Sequence, residues 1–116
     1  MFNRKIIAIL TSLLLSTTPA FAFTGEQLLE MLKKAASSSQ QERYSYAAGS
    51  GLSYVSGIFA LTSRLKMQCY DDSGISSQKM GAIVRNYINR NPGEWNMPAD
   101  IVVVKALKDF YPCADN

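Results

Sequence analysis

The chain has 116 residues, with 12 basic and 9 acidic side chains, two cysteines and no histidine. That length allows one domain. Without histidine there is no Ser-His or Cys-His nucleophile pair, and a net charge of +3 falls short of the clustered basic face that nucleic acid demands.

The first stretch, "MFNRKIIAILTSLLLSTTPAFA", reads as a leader rather than as fold. Arg4 and Lys5 make a positive start, an apolar run follows from Ile6 to Leu15, and Ala20-Phe21-Ala22 is the small-residue spacing that a signal peptidase accepts. The run is shorter than the roughly 20 residues needed to cross a bilayer, and no lipobox cysteine follows it. The expectation is a cleaved signal at residues 1–22 and a single mature domain at 23–116. Without Arg4 and Lys5 that domain carries 10 basic against 9 acidic residues. It is expected to bind neither nucleic acid nor membrane.

Four helical segments follow. In "TGEQLLEMLKKAA", Thr24 and Gln27 have the spacing of a capping box. Leu28, Leu29, Met31, Leu32 and Ala35 form an apolar stripe, with Glu26 and Glu30 early and Lys33 and Lys34 late, as the helix dipole favours. "SSSQQ" is a polar loop. The second segment is expected to run from about Glu42 to Met67. Tyr44, Ala48, Val55, Phe59 and Leu65 lie near one face, and Leu52, Ile58 and Leu61 lie beside it. Gly49, Gly51 and Gly57 each cost about 1 kcal/mol relative to alanine in a helix. Either a neighbouring backbone comes close there, or the helix breaks.

Cys69 ends that segment. "YDDSG" is a turn exposing Asp71 and Asp72, two adjacent carboxylates that read as solvated rather than as a cation site. A third helix is expected from Ser77 to Asn89, with Met80, Ile83, Val84, Tyr87 and Ile88 inward. "NRNPGEWNMP" is a polar connection holding the single tryptophan. The last helix is expected to begin with Pro98 in its first turn, to turn Ile101, Val102, Val104, Ala106, Leu107 and Phe110 inward, and to stop at Pro112. The fold class is all-α, a small bundle of about four helices.

An exported chain meets an oxidising compartment, where Cys69 and Cys113 pair. Such a crosslink closes about 45 residues and stabilises by roughly 4 kcal/mol in the chain-entropy treatment. The lack of histidine and of a C-x-x-C spacing argues against a zinc or redox pair. No glycine-rich phosphate loop follows a strand, and no paired motif suggests an enzyme, a cofactor or a metal site.

What remains is surface. Arg85, Asn86, Asn89 and Arg90 make a polar helix face leading into the loop of Glu94 and Trp95. Trp95 reads in two ways: as an interface anchor, or, as the preferred reading, as a cover over the core between the last two helices. With Asp71 and Asp72, these residues are the candidate partner contacts.

The order "FTGEQLLEML", "YVSGIFAL" and then "C…GISSQKMGAIVRNYINRNPGEWNMPADIVVVKALKDFYPC" resembles the Rap1a/Tai family of type VI secretion immunity proteins. The motifs that carry the resemblance are Cys69, Tyr87, Asn91-Pro92, Pro98-Ala99, Ala106-Leu107 and Tyr111-Pro112-Cys113. Tyr111 stands where the family has phenylalanine. The resemblance implies a helical periplasmic protein of a Gram-negative cell. It further implies binding to a peptidoglycan-cleaving amidase effector, of the Tae4 class, by occlusion of its active site. Relatives in the Tai4 branch act as dimers, so a homodimer is implied. The alternative, from another class, is a periplasmic acid-stress chaperone of the HdeA type, against which the modest charged fraction and the lack of highly charged termini argue.

Overall fold

A computed structural model describes residues 23–70 and 74–114. The leader read at residues 1–22 and the Asp71-Asp72 pair lie outside them. Five helices follow in order: α1 Gly25–Ala35, the single turn α2 Gln40–Arg43, α3 Tyr46–Arg64, α4 Ser77–Arg90 and α5 Ala99–Phe110. A 3-10 turn, Pro92–Glu94, joins α4 to α5. The all-α bundle expected from the sequence is present, with four helices longer than one turn.

Each start has a local cause. In α1 the capping box forms in full: the Gln27 amide donates to Thr24 Oγ1 at 3.3 Å and the Thr24 amide donates to Gln27 Oε1 at 3.0 Å. The next two free amides of α1 are satisfied by the distant connection before α5. Gly25 donates to the Met97 carbonyl and Glu26 to the Trp95 carbonyl, both at 3.0 Å, while Ala99 donates back to Phe23 at 2.7 Å. Orphan helix-end groups thereby join the start of α1 to the start of α5.

The second segment departs from expectation. It is interrupted at Tyr44 and Ser45. Ser45 Oγ donates to the Glu42 carbonyl at 2.7 Å and accepts from the Ala48 amide at 3.2 Å. A serine that satisfies one turn and caps the next helix competes with helix continuation. α3 does not break at its glycines. Its buried stripe is Ala48, Gly51, Val55, Phe59 and Thr62, which keeps Ala48, Val55 and Phe59 of the expected face and replaces its ends. Tyr44 is 77 % and Leu65 62 % exposed, and Leu61 is also exposed. Small residues hold inward positions that larger residues hold on other helices. A Cβ on Gly51 would stand 2.9 Å from Met31 Cβ, so α1 and α3 approach at that point; Gly49 and Gly57 face open space.

The C-terminus of α3 is closed by a left-handed residue. Lys66 has φ 55°; its amide donates to Ser63 and the Met67 amide to Thr62, the paired bonds of a Schellman motif. Ser76 then caps α4 through the Lys79 amide at 3.1 Å. All five residues expected inward on α4 are buried.

α5 begins at Ala99, one residue after Pro98. Its inner face is Ala99, Val102, Val103, Ala106 and Leu107. Ile101 is 45 % and Phe110 52 % exposed, which corrects their expected inward place. Phe110 lies at the helix end, past the core, and its ring meets Tyr111 edge-on at 4.8 Å. The core joins Leu28, Leu29 and Leu32 of α1 to Val55 and Phe59 of α3, Val84 and Ile88 of α4, and the α5 face.

Cys69 and Cys113 are bonded, with Cα atoms 4.8 Å apart across 44 positions. The Cys69 amide also donates to the Tyr111 carbonyl at 2.9 Å. Phe59, Tyr70 and Tyr111 stack edge-on beside this tie. The disulfide therefore anchors the segments that follow α3 and α5 over one aromatic cluster.

Candidate functional site

The sequence candidates divide between two settings. Glu94 and Trp95 sit on the connection that caps α1, and both turn inward. The Trp95 indole Nε1 donates to the Ile88 carbonyl at 2.7 Å, and its ring packs against the core. This is the covering role that the sequence reading preferred. Glu94 Oε2 accepts from the Tyr87 hydroxyl at 2.7 Å, and Oε1 lies 2.5 Å from Lys105 Nζ.

The electrostatics follow from that geometry. The bond from Lys105 holds the Glu94 carboxyl below its ordinary range, against the opposing effect of burial, and the Tyr87 bond adds to the lowering. Burial, then the bond to Glu94 and its charge, push the Tyr87 hydroxyl up to about 12. Tyr87, Glu94 and Lys105 thus form a charged knot between α4, the 3-10 turn and α5.

Arg85, Asn86, Asn89 and Arg90 lie on the outer side of α4. Arg85 is half-buried and the other three are exposed. They are set on a rigid helix whose opposite side is core, as a recognition surface needs. Arg85 also reaches a feature that the sequence reading did not identify.

That feature is a trough across the junction of α1, α2, α3 and α4. Its larger part, about 310 Å³, runs from Arg43 and Tyr44 to Leu52 and Gln78. Its smaller part, about 110 Å³, continues from Leu52 and Gln78 to Arg85. Tyr46 beside it is almost fully exposed. The sequence signal was the polar-aromatic run "QQERYSY" in the break between helices, which the expected continuous helix obscured.

A second surface lies on α5. Ile101 and Val104, with Met67 from the end of α3, line a shallow depression of about 300 Å³ flanked by Asp100, Lys105 and Lys108. Among the described residues no group of three or more metal-binding side chains occurs, and no helix is long and apolar enough to cross a membrane.

No curated protein and no solved structure matches the chain. A family model does. The model of the Rap1a immunity proteins matches residues 24–113, from the capping threonine of α1 to the second half-cystine. This span takes in every described helix, and the chain belongs to the Rap1a immunity protein family.

Proposed function

We propose that this chain is a periplasmic type VI secretion immunity protein that binds a peptidoglycan-cleaving amidase effector of the Tae4 class and blocks it by covering the active-site cleft. The observation that carries the reading is the family match over residues 24–113. The leader-like residues 1–22 support export, with 23–116 as the mature domain. Occlusion needs a firm protruding surface and no chemistry of its own. The α4 face of Arg85, Asn86, Asn89 and Arg90 meets that need.

The same proposal includes a homodimer through α5. Asp100 stands near the start of the depression and Lys108 near its far side, with Ile101 and Val104 between them. An antiparallel two-fold pairing of this helix sets Asp100 of one copy against Lys108 of the other and covers the apolar residues. This is the self-complementarity that an isologous interface requires.

The test is a titration. The protein, exported and purified with its disulfide formed, is added to a purified Tae4-class amidase while peptidoglycan cleavage is followed. Stoichiometric inhibition with a sub-micromolar Kd, tighter than about −8 kcal/mol, is the expected result. No binding and no inhibition rejects this amidase class as the target. Intact mass of the purified protein checks the leader, with Phe23 expected as the first residue.

A further inference from the structure

We propose that the trough between Arg43 and Arg85 receives an extended, carboxylate-bearing segment of the toxin that this immunity protein blocks. The inference rests on the immunity reading and adds to it the chemistry of the segment recognised.

Charge is the first argument. α3 and α4 contain no aspartate or glutamate, while α4 alone carries Lys79, Arg85 and Arg90. The trough takes Gly49 and Leu52 from α3 and Gln78, Gly81, Ala82 and Arg85 from α4, and neither helix has an acidic residue in its first turn. α1, α2 and α5 do, at Glu26, Glu42 and Asp100. The C-terminal ends of α1 and α2, at Ala35–Ala36 and Arg43–Tyr44, line the trough as well, so the helix dipoles offset one another and its positive charge comes from the two guanidinium groups. Glu42 is the single carboxylate on α2.

The arginines themselves are the second argument. The ion pairs among the described residues are Lys33 with Glu30 and Lys105 with Glu94. Arg43 and Arg85 have none. Arg43 stacks on the Tyr44 ring, 5.6 Å from its centroid, which holds the fork at the trough edge. Arg85 is half-buried at the other end. Arg43 is exposed apart from its ring contact, and an unpaired guanidinium is suited to a two-bond clamp on a carboxylate.

Shape is the third. Ala35, Leu52 and Gln78 form a continuous floor shared by both parts of the trough. Ala35 and Leu52 make an apolar strip in that floor, beside the polar Gln78, between two cationic ends. A main chain in extended form lays alternate side chains to one side, so apolar residues reach Leu52 while acidic ones meet the arginines. Exposed Tyr44 adds an aromatic wall, and tyrosine and arginine are the residue types that anchor protein interfaces.

The experiment compares binding of the amidase to the wild-type protein and to three variants by calorimetry. Arg43→Glu/Arg85→Glu is expected to weaken Kd at least 100-fold. Arg64→Glu, a single charge reversal at the far end of α3, is expected to leave Kd within threefold. Gln78→Trp fills the trough at an exposed position, and at least a 30-fold loss is expected; it decides the matter if the charge-reversed protein unfolds. Wild-type affinity that survives both Arg43→Glu/Arg85→Glu and Gln78→Trp overturns the trough and leaves the immunity reading intact. A wild-type protein that binds no toxin overturns both.

Discussion

Tyr87 and Glu94 are joined by a 2.7 Å hydrogen bond from the phenol to Oε2, and Lys105 holds the other carboxylate oxygen. This couples the stability of the α4–α5 connection to pH. Glu94 titrates below its ordinary value in the folded protein. Its contribution is therefore complete above the unfolded carboxyl range, about pH 4.3, and is lost as pH falls through the folded value. Tyr87 behaves oppositely: its contribution is complete below pH 10 and is lost as pH rises toward about 12. Glu94→Gln is expected to lower stability by about 1–3 kcal/mol at pH 7, with the difference from wild type shrinking below about pH 4. Thermal melts at several pH values check this; a difference that stays constant into acid contradicts the knot.

Trp95 separates a structural role from an interface role. Its indole covers the core and donates to Ile88. Trp95→Phe retains a ring and loses that bond, so about 1 kcal/mol of stability is expected to go. Trp95→Ala also removes the ring and is expected to cost about 2–4 kcal/mol. Urea unfolding measures both. If stability holds and toxin binding falls, Trp95 acts as an anchor after all.

Gly51 and Gly57 are six positions apart on α3 and should respond with opposite sign. Gly57 faces open space, so Gly57→Ala is expected to stabilise by about 0.5–1 kcal/mol through helix propensity. At Gly51 a methyl group would meet Met31 Cβ at 2.9 Å. Gly51→Ala is expected to destabilise by about 1–3 kcal/mol as α1 and α3 are forced apart. Denaturant midpoints of the two variants give the answer directly.

The same glycines show where the sequence was legible. The α4 face could be read because Met80, Ile83, Val84, Tyr87 and Ile88 are large and at helical spacing. On α3 the inward stripe includes Gly51 and Thr62, so hydrophobicity alone found Ala48, Val55 and Phe59 but passed over Gly51 and Thr62 and took in Tyr44 and Leu65. On α5, Ile101 and Val103 are both apolar, and only packing decides that Val103 is buried while Ile101 faces out. The leader-like start, read as an export signal, made the cysteine pairing legible. The trough was not, because it depends on the Tyr44-Ser45 break. Ser45 causes that break with two hydrogen bonds that compete with a pattern otherwise compatible with continuous helix.

The exposed residues of α5 test the proposed dimer. Ile101 is 45 % exposed and Val104 lies beside it, between Asp100 and Lys108. Ile101→Glu puts a charge into the two-fold contact in both copies, but touches none of the buried face. The variant is expected to sediment as a monomer with thermal stability unchanged when dissociation is complete in both samples. Asp100→Lys should dissociate the dimer by setting like charges together. Combining it with Lys108→Asp restores opposite charges across the two-fold and should restore association. Rescue by the double exchange requires that the two side chains meet between copies. A wild-type protein that is monomeric at all accessible concentrations would instead leave the α5 depression as an unpaired surface and remove the dimer from the proposal.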